Sequence, residues 1–380
     1  MNEIQNTPEL RFEGFTEPWE QQKLRDTAES YSGGTPTSGN TEYYGGDIPF
    51  IRSAEISSDT TELSISRKGY ESSAARMVKP GDVLYALYGA TSGEVAISKM
   101  SGAINQAILA ILPSPMCDAF FLAAWLRRQK DEIVATYLQG GQGNLSATIV
   151  KGLDVPVPVI EEQRCIGTLF SRLDSLIALY QRKYERLQHM KQALLLKMFP
   201  KPGEQVPELR FEGFTEPWKE RKLGELVDVC NGRDYKHLDK GVIPVYGTGG
   251  YMTSVSEALS YSKDAIGIGR KGTIDRPYIL RAPFWTVDTL FYAIPQHEVD
   301  LDFAFCLFSN INWRSKDESS GVPSLSKQAI DTTRAKVPGT DEQRIIGTFF
   351  RNLDSLIALQ QSKYERLQHL KQALLQKMFA

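Results

Sequence analysis

Apolar residues recur every seven positions along two segments of the chain. Leu173, Tyr180, Leu187 and Leu194 mark the first, flanked by Leu169, Leu176 and by Phe170, Ile177 and Tyr184. Leu353, Leu367 and Leu374 mark the second, with Phe349, Leu356, Phe350, Ile357 and Tyr364 beside them. Gln360 stands where the first stripe has Tyr180, and Lys183 and Lys363 interrupt the two stripes. This spacing predicts two long helices with broad apolar faces. About 38 residues at 1.5 Å each make a rod of about 57 Å, far longer than the typical globular helix. The expectation is therefore a pair of antiparallel, coiled-coil-like helices rather than a core helix in each of two independent domains. Thr340 with Gln343 reads as an N-terminal capping box, which Ile160 cannot form at the equivalent place. The run FPKPG at 199–203 ends the first helix.

Between the helical stripes the pattern shortens. DVLYALYG, EVAIS, AIGIG and LFYAI are β-rich runs separated by glycine turns, which predicts a curved sheet in each variable middle. Each middle also carries a short helix, from Asp118 to Thr136 in the first and from Asp302 to Ser309 in the second. The class is α/β or α+β.

The chain repeats itself. PELRFEGFTEPWEQQKL at 8–24 matches PELRFEGFTEPWKERKL at 207–223 in 14 of 17 positions, at an offset of 199. Glu161–Phe199 matches Asp341–Phe379 in 30 of 39 positions at an offset of 180, so the first middle is longer by 19 residues. The unit is motif, variable middle, helix, written twice, and such repetition signals one architecture used twice. The middles are distant relatives. IPF at 48–50 aligns with IPV at 243–245, GDVLYALYGATSG at 81–93 with KDAIGIGRKGTID at 263–275, and GNLS at 143–146 with PSLS at 323–326. The largest insertion falls between Ile51 and Lys79.

Composition narrows the function. With 380 residues, 41% hydrophobic and 24% charged, the chain can bury two ordinary cores. No apolar run reaches about 18 residues and no signal segment opens the chain, so a cytoplasmic protein is expected. Cys117, Cys165, Cys230 and Cys306 show no C-x-x-C spacing, which argues against disulfides or zinc, and His189 and His369 read as solvated helix residues. A net charge of −2 does not announce a nucleic-acid partner, so any such site must concentrate its basic groups in loops. Catalytic motifs are missing. GIGRKGT at 267–273 lacks phosphate-loop spacing, no [DN]-P-P-[FYW] segment could receive a flipped adenine, and nothing marks a serine or cysteine as a nucleophile. The chain is expected not to be an enzyme.

The repeated FEGFTEPWEQQKL and FEGFTEPWKERKL motifs, the passages VPVPVIEEQRCIGTLFSRLDSLI and VPGTDEQRIIGTFFRNLDSLI, and the segments IPVYGTGGY and GRKGTI resemble the specificity (S) subunits of type I restriction-modification systems. The resemblance covers essentially the whole chain. It implies two pseudo-symmetric target-recognition domains, 1–158 and 219–338, each reading half of a split DNA sequence. It further implies spacer helices at 159–199 and 339–380, with residues 200–218 as linker and repeated motif. The helices would act as a molecular ruler and dock the modification subunits, expected to be two, with restriction subunits joining them. S-adenosylmethionine, ATP and Mg would belong to those partners, and none to this chain. The first middle has LYGA at 87–90 where the second has GRKG, so contacts inferred for one domain do not transfer to the other.

Base edges are read by Arg, Lys, Asn, Gln and Ser side chains. In the first domain the polar loop GGQGNLS offers Gln142, Asn144 and Ser146, and Arg52, Ser53, Tyr88 and Gln106 fall at aligned or turn-adjacent positions. In the second, Arg233, Tyr235, Lys236 and His237 form a basic-aromatic cluster, and Arg270, Lys271 and Thr273 sit in a glycine-framed turn suited to phosphate. Ser324 and Lys327 follow by alignment with the first loop, and Trp285 reads at least as well as core. The alternative is a non-enzymatic two-lobed adaptor for protein or glycan. Steep salt dependence of binding would separate the DNA reader from it.

Overall fold

The structure, a computed structural model, describes residues 7–137 and 144–379. It divides into two compact units. The first comprises the chain up to Tyr180 together with the segment from Lys363, and the second is Gln181–Ser362. The division falls inside both long helices, so each unit contains the start of one and the end of the other.

In the first unit the strands are β1 (Glu20–Lys23), β2 (Ala28–Ser32), β3 (Tyr44–Ile51), β4 (Ser64–Ile65), β5 (Arg76–Val78), β6 (Val83–Ala86), β7 (Val95–Ile97), β8 (Gly102–Ile104), β9 (Ile108–Pro113) and β10 (Asp154–Val157). The helices are α1 (Leu24–Thr27), α2 (Arg67–Glu71), α3 (Ala119–Tyr137), α4 (Ala147–Lys151) and the start of α5 (Ile160–Lys197). One antiparallel sheet has the order β2-β9-β6-β7, a second has β4-β3-β8-β5, and β1 pairs with β10 as a separate ribbon. Within the second sheet β3 and β8 run parallel.

The second unit repeats this plan with β11 (Lys219–Lys222), β12 (Val227–Asn231), β13 (Lys240–Gly247), β14 (Gly250–Val255), β15 (Ala265–Gly269), β16 (Tyr278–Leu280), β17 (Trp285–Thr286), β18 (Leu290–Pro295) and β19 (Arg334–Val337). Its helices are α6 (Leu301–Asn310), α7 (Lys327–Thr332) and the start of α8 (Thr340–Lys377). The sheets are β12-β18-β15-β16 and β14-β13-β17, with β13 and β17 parallel, and β11 pairs with β19 as the ribbon. Where the pattern predicted one curved sheet per middle, each unit has two sheets and a ribbon. Alternation identifies strands but not their partners, and the mostly antiparallel pairing makes the class α+β.

The repeated motif is structural. Glu162, in the first turn of α5, is fully buried and accepts Arg11 Nε at 2.9 Å, Arg11 Nη2 at 2.7 Å and Trp19 Nε1 at 3.2 Å. Glu342, in the first turn of α8, is held in the same way by Arg210 at 2.7 and 2.8 Å and by Trp218 Nε1 at 3.4 Å. The motif thus carries the two donors that make a buried carboxylate tolerable at a helix start, where the N-terminal dipole also favours it. Those hydrogen bonds hold the Arg11 and Arg210 guanidiniums above their ordinary pKa.

The expected capping box is not formed. Gln343 turns away from the helix end. Its Oε1 accepts from the Asp300 N–H at 3.2 Å and its Nε2 donates to the Pro338 carbonyl at 3.0 Å, while Thr340 Oγ1 donates to the Glu298 carbonyl. Gln163 makes the equivalent bonds, accepting from the Asp118 N–H and donating to the Pro158 and Met116 carbonyls. Both helix starts are therefore built alike, although Ile160 and Thr340 differ. Gly167 and Gly347 allow this close approach, because a Cβ on either would lie 2.2 Å from the carboxylate of Asp118 or Asp300.

Each unit is closed by the end of a long helix. In the first, Phe379 packs among Trp19, Phe121 and Phe170 at ring distances of 5.5 to 6.2 Å. In the second, Phe199 packs on Trp218 at 5.5 Å and on Phe303 at 5.7 Å. Along the helices, Lys371 pairs with Asp174 in the first unit and Lys191 with Asp354 in the second, each at 2.5 Å. Residues at Leu173, Leu187 and Leu194 face these cores. His189 and His369 are exposed on the helices. Among the described residues no helix is long and apolar enough to cross a membrane.

Candidate functional site

In the second unit a cluster of loops gathers at one end of β12, β15, β17 and β18. The N–H of Gly232 donates to the Leu290 carbonyl and that of Arg233 to the Thr286 carbonyl, which draws the loop after β12 against the turn between β17 and β18. The N–H groups of Arg270 and Lys271 both reach the Thr289 carbonyl, and Lys271 forms a β-bridge with Ser324. Arg233, Lys236, His237, Arg270, Lys271 and Ser324 therefore share one loop cluster, with the four cationic side chains exposed. Arg270 also lies over the Phe291 ring at 5.7 Å.

Other residues singled out in this unit have different roles. Trp285 is buried, donates from Nε1 to the Arg233 carbonyl at 2.8 Å and fixes the loop from beneath. Its ring also meets that of His237 edge-on. Tyr235 is half-buried against the same core. Thr273 is half-buried, and its carbonyl approaches so close that a Cβ on Gly269 would lie 2.0 Å from it. Lys327 opens α7 after the capping Ser326 and faces Asp228 at 3.9 Å.

The first unit builds the same cluster from other residues. Gly34 N–H donates to the Ile104 carbonyl, Leu87 N–H to the Ala107 carbonyl and Leu145 N–H to the Leu87 carbonyl, and Tyr88 bridges to Asn144. These bonds bring Tyr88, Gln106 and Asn144 together. Arg52 and Ser53 follow β3 beside them, since Asn105 N–H donates to the Ile51 carbonyl. The Arg52 guanidinium is not free, for it grips Glu55 at 3.0 Å and Glu62 at 2.6 Å. This clasp holds the Glu55 carboxyl down at about 2. Ser146 caps α4 by accepting from the Ile149 N–H. Gln142 lies outside the described residues.

The hydrogen bonds correct one alignment. Leu145 N–H reaches Leu87 as Leu325 N–H reaches Arg270, and Gly89 and Gly272 both have positive φ, 77° and 93°. Leu87-Tyr88-Gly89 thus corresponds to Arg270-Lys271-Gly272, one residue away from the ungapped sequence alignment. The cause is strand register. Val83 of β6 pairs with Ile111 as Ile266 of β15 pairs with Ala293, and a one-residue slip leaves a run of fully buried side chains looking unchanged.

Sequence reading also missed exposed polar groups. Thr35, Thr37 and Ser38 occupy the positions of Asp234, Lys236 and His237, a correspondence visible by carrying the offset of 199 past Leu24. Asp288, at the tip of the turn that carries Thr289, corresponds to Gln106. The cluster in the second unit is cationic, that in the first neutral and amide-rich. Among the described residues no group of three or more His, Cys, Asp and Glu side chains is placed to hold a metal.

A family model described as the type I restriction modification DNA specificity domain matches residues 16–189 and 215–369. Among curated proteins, the type I restriction enzyme MjaIX specificity subunit of Methanocaldococcus jannaschii is 27% identical over 259 residues, a match spanning 59% of either chain. The putative MjaX specificity subunit of the same organism is 22% identical over 400 residues, covering 94% of this chain and 92% of that one. Among solved structures, the type I restriction-modification S subunit from M. genitalium superposes with a TM-score of 0.74 at 18% identity, over 98% of this chain and 99% of that one. At that identity the likeness speaks for the fold.

Proposed function

Since the chain belongs to the type I restriction modification DNA specificity family, we propose that it reads a bipartite DNA target and directs modification and restriction subunits to it. The observation that carries this reading is the pair of loop clusters, built on one backbone frame by the same hydrogen bonds and carrying different side chains. A reader of an asymmetric, interrupted sequence needs a common frame and two unlike surfaces, because each half-site presents its own pattern of donors and acceptors. The cationic cluster at Arg233, Lys236, Arg270 and Lys271 supplies phosphate attraction that the net charge does not. Tyr88, Gln106, Asn144 and the Thr35–Ser38 loop supply the polar groups of the other surface.

The partners dock on the helices in this reading. Leu176, Leu179 and Leu370 in the first unit, and Leu356, Leu359 and Met190 in the second, are 38 to 50% exposed. Leu176 and Leu179 lie about 60° and 120° around α5 from the buried Leu173. The apolar stripe is therefore wider than its own packing uses, and it is repeated at identical or similar residues. Two equivalent faces suit two copies of one methylating subunit. That subunit, rather than this chain, supplies S-adenosylmethionine chemistry, and the restriction subunits supply ATP- and Mg-dependent cleavage. The work is done on cytoplasmic DNA.

Genome-wide mapping of methylated adenines in cells with and without this chain tests the reading. A bipartite motif that disappears with the chain is expected. Methyl transfer by the purified chain alone, or an unchanged motif in its absence, overturns it.

A further inference from the structure

Gln106 and Asp288 sit at the tip of the same turn in the two units. Ile108 N–H closes the first turn on the Asn105 carbonyl at 3.3 Å, and Leu290 N–H closes the second on the Val287 carbonyl at 2.9 Å. Each turn leaves a strand paired in parallel with its neighbour, β8 with β3 and β17 with β13. Each is also tied to the loop after the central strand, by Leu87 N–H to the Ala107 carbonyl and by Arg270 N–H to the Thr289 carbonyl, both 2.8 Å. Both side chains are exposed. The backbone is common, and the functional group at its tip differs.

The two groups have opposite hydrogen-bond polarity. Gln106 Oε1 accepts from the Thr35 hydroxyl at 2.5 Å, while its amide NH2, a donor, has no partner among the described residues. Asp288 offers acceptors only. Among the described residues no hydrogen bond or ion pair engages its carboxylate, and the Arg270 guanidinium reaches the Asp288 backbone carbonyl instead, at 3.5 Å. Aspartate placed in a turn for conformational reasons bonds a backbone N–H two residues on. Asn105 does this, accepting from Ala107 N–H at 3.1 Å, and Asp288 does not. A bare carboxylate in a loop cluster with Arg233, Lys236, Arg270 and Lys271 opposes phosphate binding. It matches an exocyclic amine on a base edge, the one donor that DNA bases present in the major groove.

We propose that Gln106 and Asp288 determine specificity at one base pair in each half-site. Asp288 accepts from cytosine N4 or adenine N6, and Gln106 donates to a base acceptor such as a purine N7, guanine O6 or thymine O4. Thr35 is a positioning residue that orients the Gln106 amide. This rests on the reading of the chain as a DNA-recognition subunit.

The test uses the full chain assembled with its methylating partner, with the methylated motif mapped for Asp288→Asn, Gln106→Glu, Thr35→Val and Thr35→Ser. Asp288→Asn should lower discrimination at one base of one half-site about 5- to 150-fold and leave the other half unchanged. Gln106→Glu should move one base of the opposite half-site toward cytosine or adenine. Thr35→Val should relax that same base, and Thr35→Ser should restore it. Where a variant methylates too slowly to map, competition binding against duplexes with each base at every half-site position gives the same comparison. A uniform loss over all bases there overturns the proposal, as do unchanged motifs in Asp288→Asn and Gln106→Glu. A wild-type assembly with no bipartite motif would instead overturn the underlying reading of the chain.

Discussion

Arg210 holds Glu342 by two hydrogen bonds, Nε to Oε1 at 2.7 Å and Nη2 to Oε2 at 2.8 Å, across 132 positions of sequence, and the Glu342 side chain is 2% exposed. The pair joins the repeated motif to the first turn of α8, and Trp218 adds a third donor. Removing one partner of such a pair leaves a buried charge without compensation. Arg210→Ala should therefore destabilise the second unit by about 3 to 5 kcal/mol, and Arg11→Ala should do the same to the first through Glu162. Urea unfolding of the single and double variants checks this, and a loss under about 1 kcal/mol would count against the clamp.

Arg270 and Lys271 lie in one loop, and their backbone is held by Thr289 rather than by their side chains. Arg270→Ala with Lys271→Ala should thus leave the fold intact while weakening or relaxing one half-site. Each lost base contact should cost about 1 to 3 kcal/mol, and each lost phosphate contact should lower the salt slope by about 1. Mapped motifs and binding measured at several salt concentrations separate the two roles. The same bipartite motif methylated at an unchanged rate would remove both residues from recognition.

The exposed leucines make a claim about assembly. Leu176→Asp with Leu179→Asp should release one methylating subunit, and Leu356→Asp with Leu359→Asp should release the other. Mass measurement of the reconstituted assembly would then show one partner copy in each variant and two in the wild type. Full occupancy in both variants would place the docking surface elsewhere.

Glu55 provides a pH test. Arg52 holds its folded-state carboxyl at about 2, below the ordinary 4.5. A depressed carboxyl contributes stability that is fully present above its unfolded value and is lost as pH falls through the folded one. The loop after β3 should keep its clasp at pH 5 and lose it progressively between about 4.5 and 2. A Glu55 side-chain NMR titration with a midpoint near 4.5 would show that the clasp does not form in solution.

The sequence by itself determined the duplicated plan, the two long helices and the loops that carry unlike chemistry. Repetition and seven-residue spacing are local properties, and α5 and α8 begin and end where such signals lie. The short helices were equally legible, expected at 118–136 and 302–309 and found at Ala119–Tyr137 and Leu301–Asn310. Nothing in the sequence marks Glu162 and Glu342 as buried, because no local pattern tells a solvated carboxylate from one buried beneath an arginine more than a hundred residues away. Gln343 looked like a capping residue, and its bonds to Asp300 and Pro338 belong to another element's approach. Tertiary structure alone decided strand register, which moved Arg270 from its aligned partner Tyr88 to Leu87. It also brought Asp288 to the same turn tip as Gln106. The physical reason is common to these cases: a side chain's neighbours across a sheet or under a helix are chosen by packing between distant segments, while a sequence pattern records only neighbours along the chain.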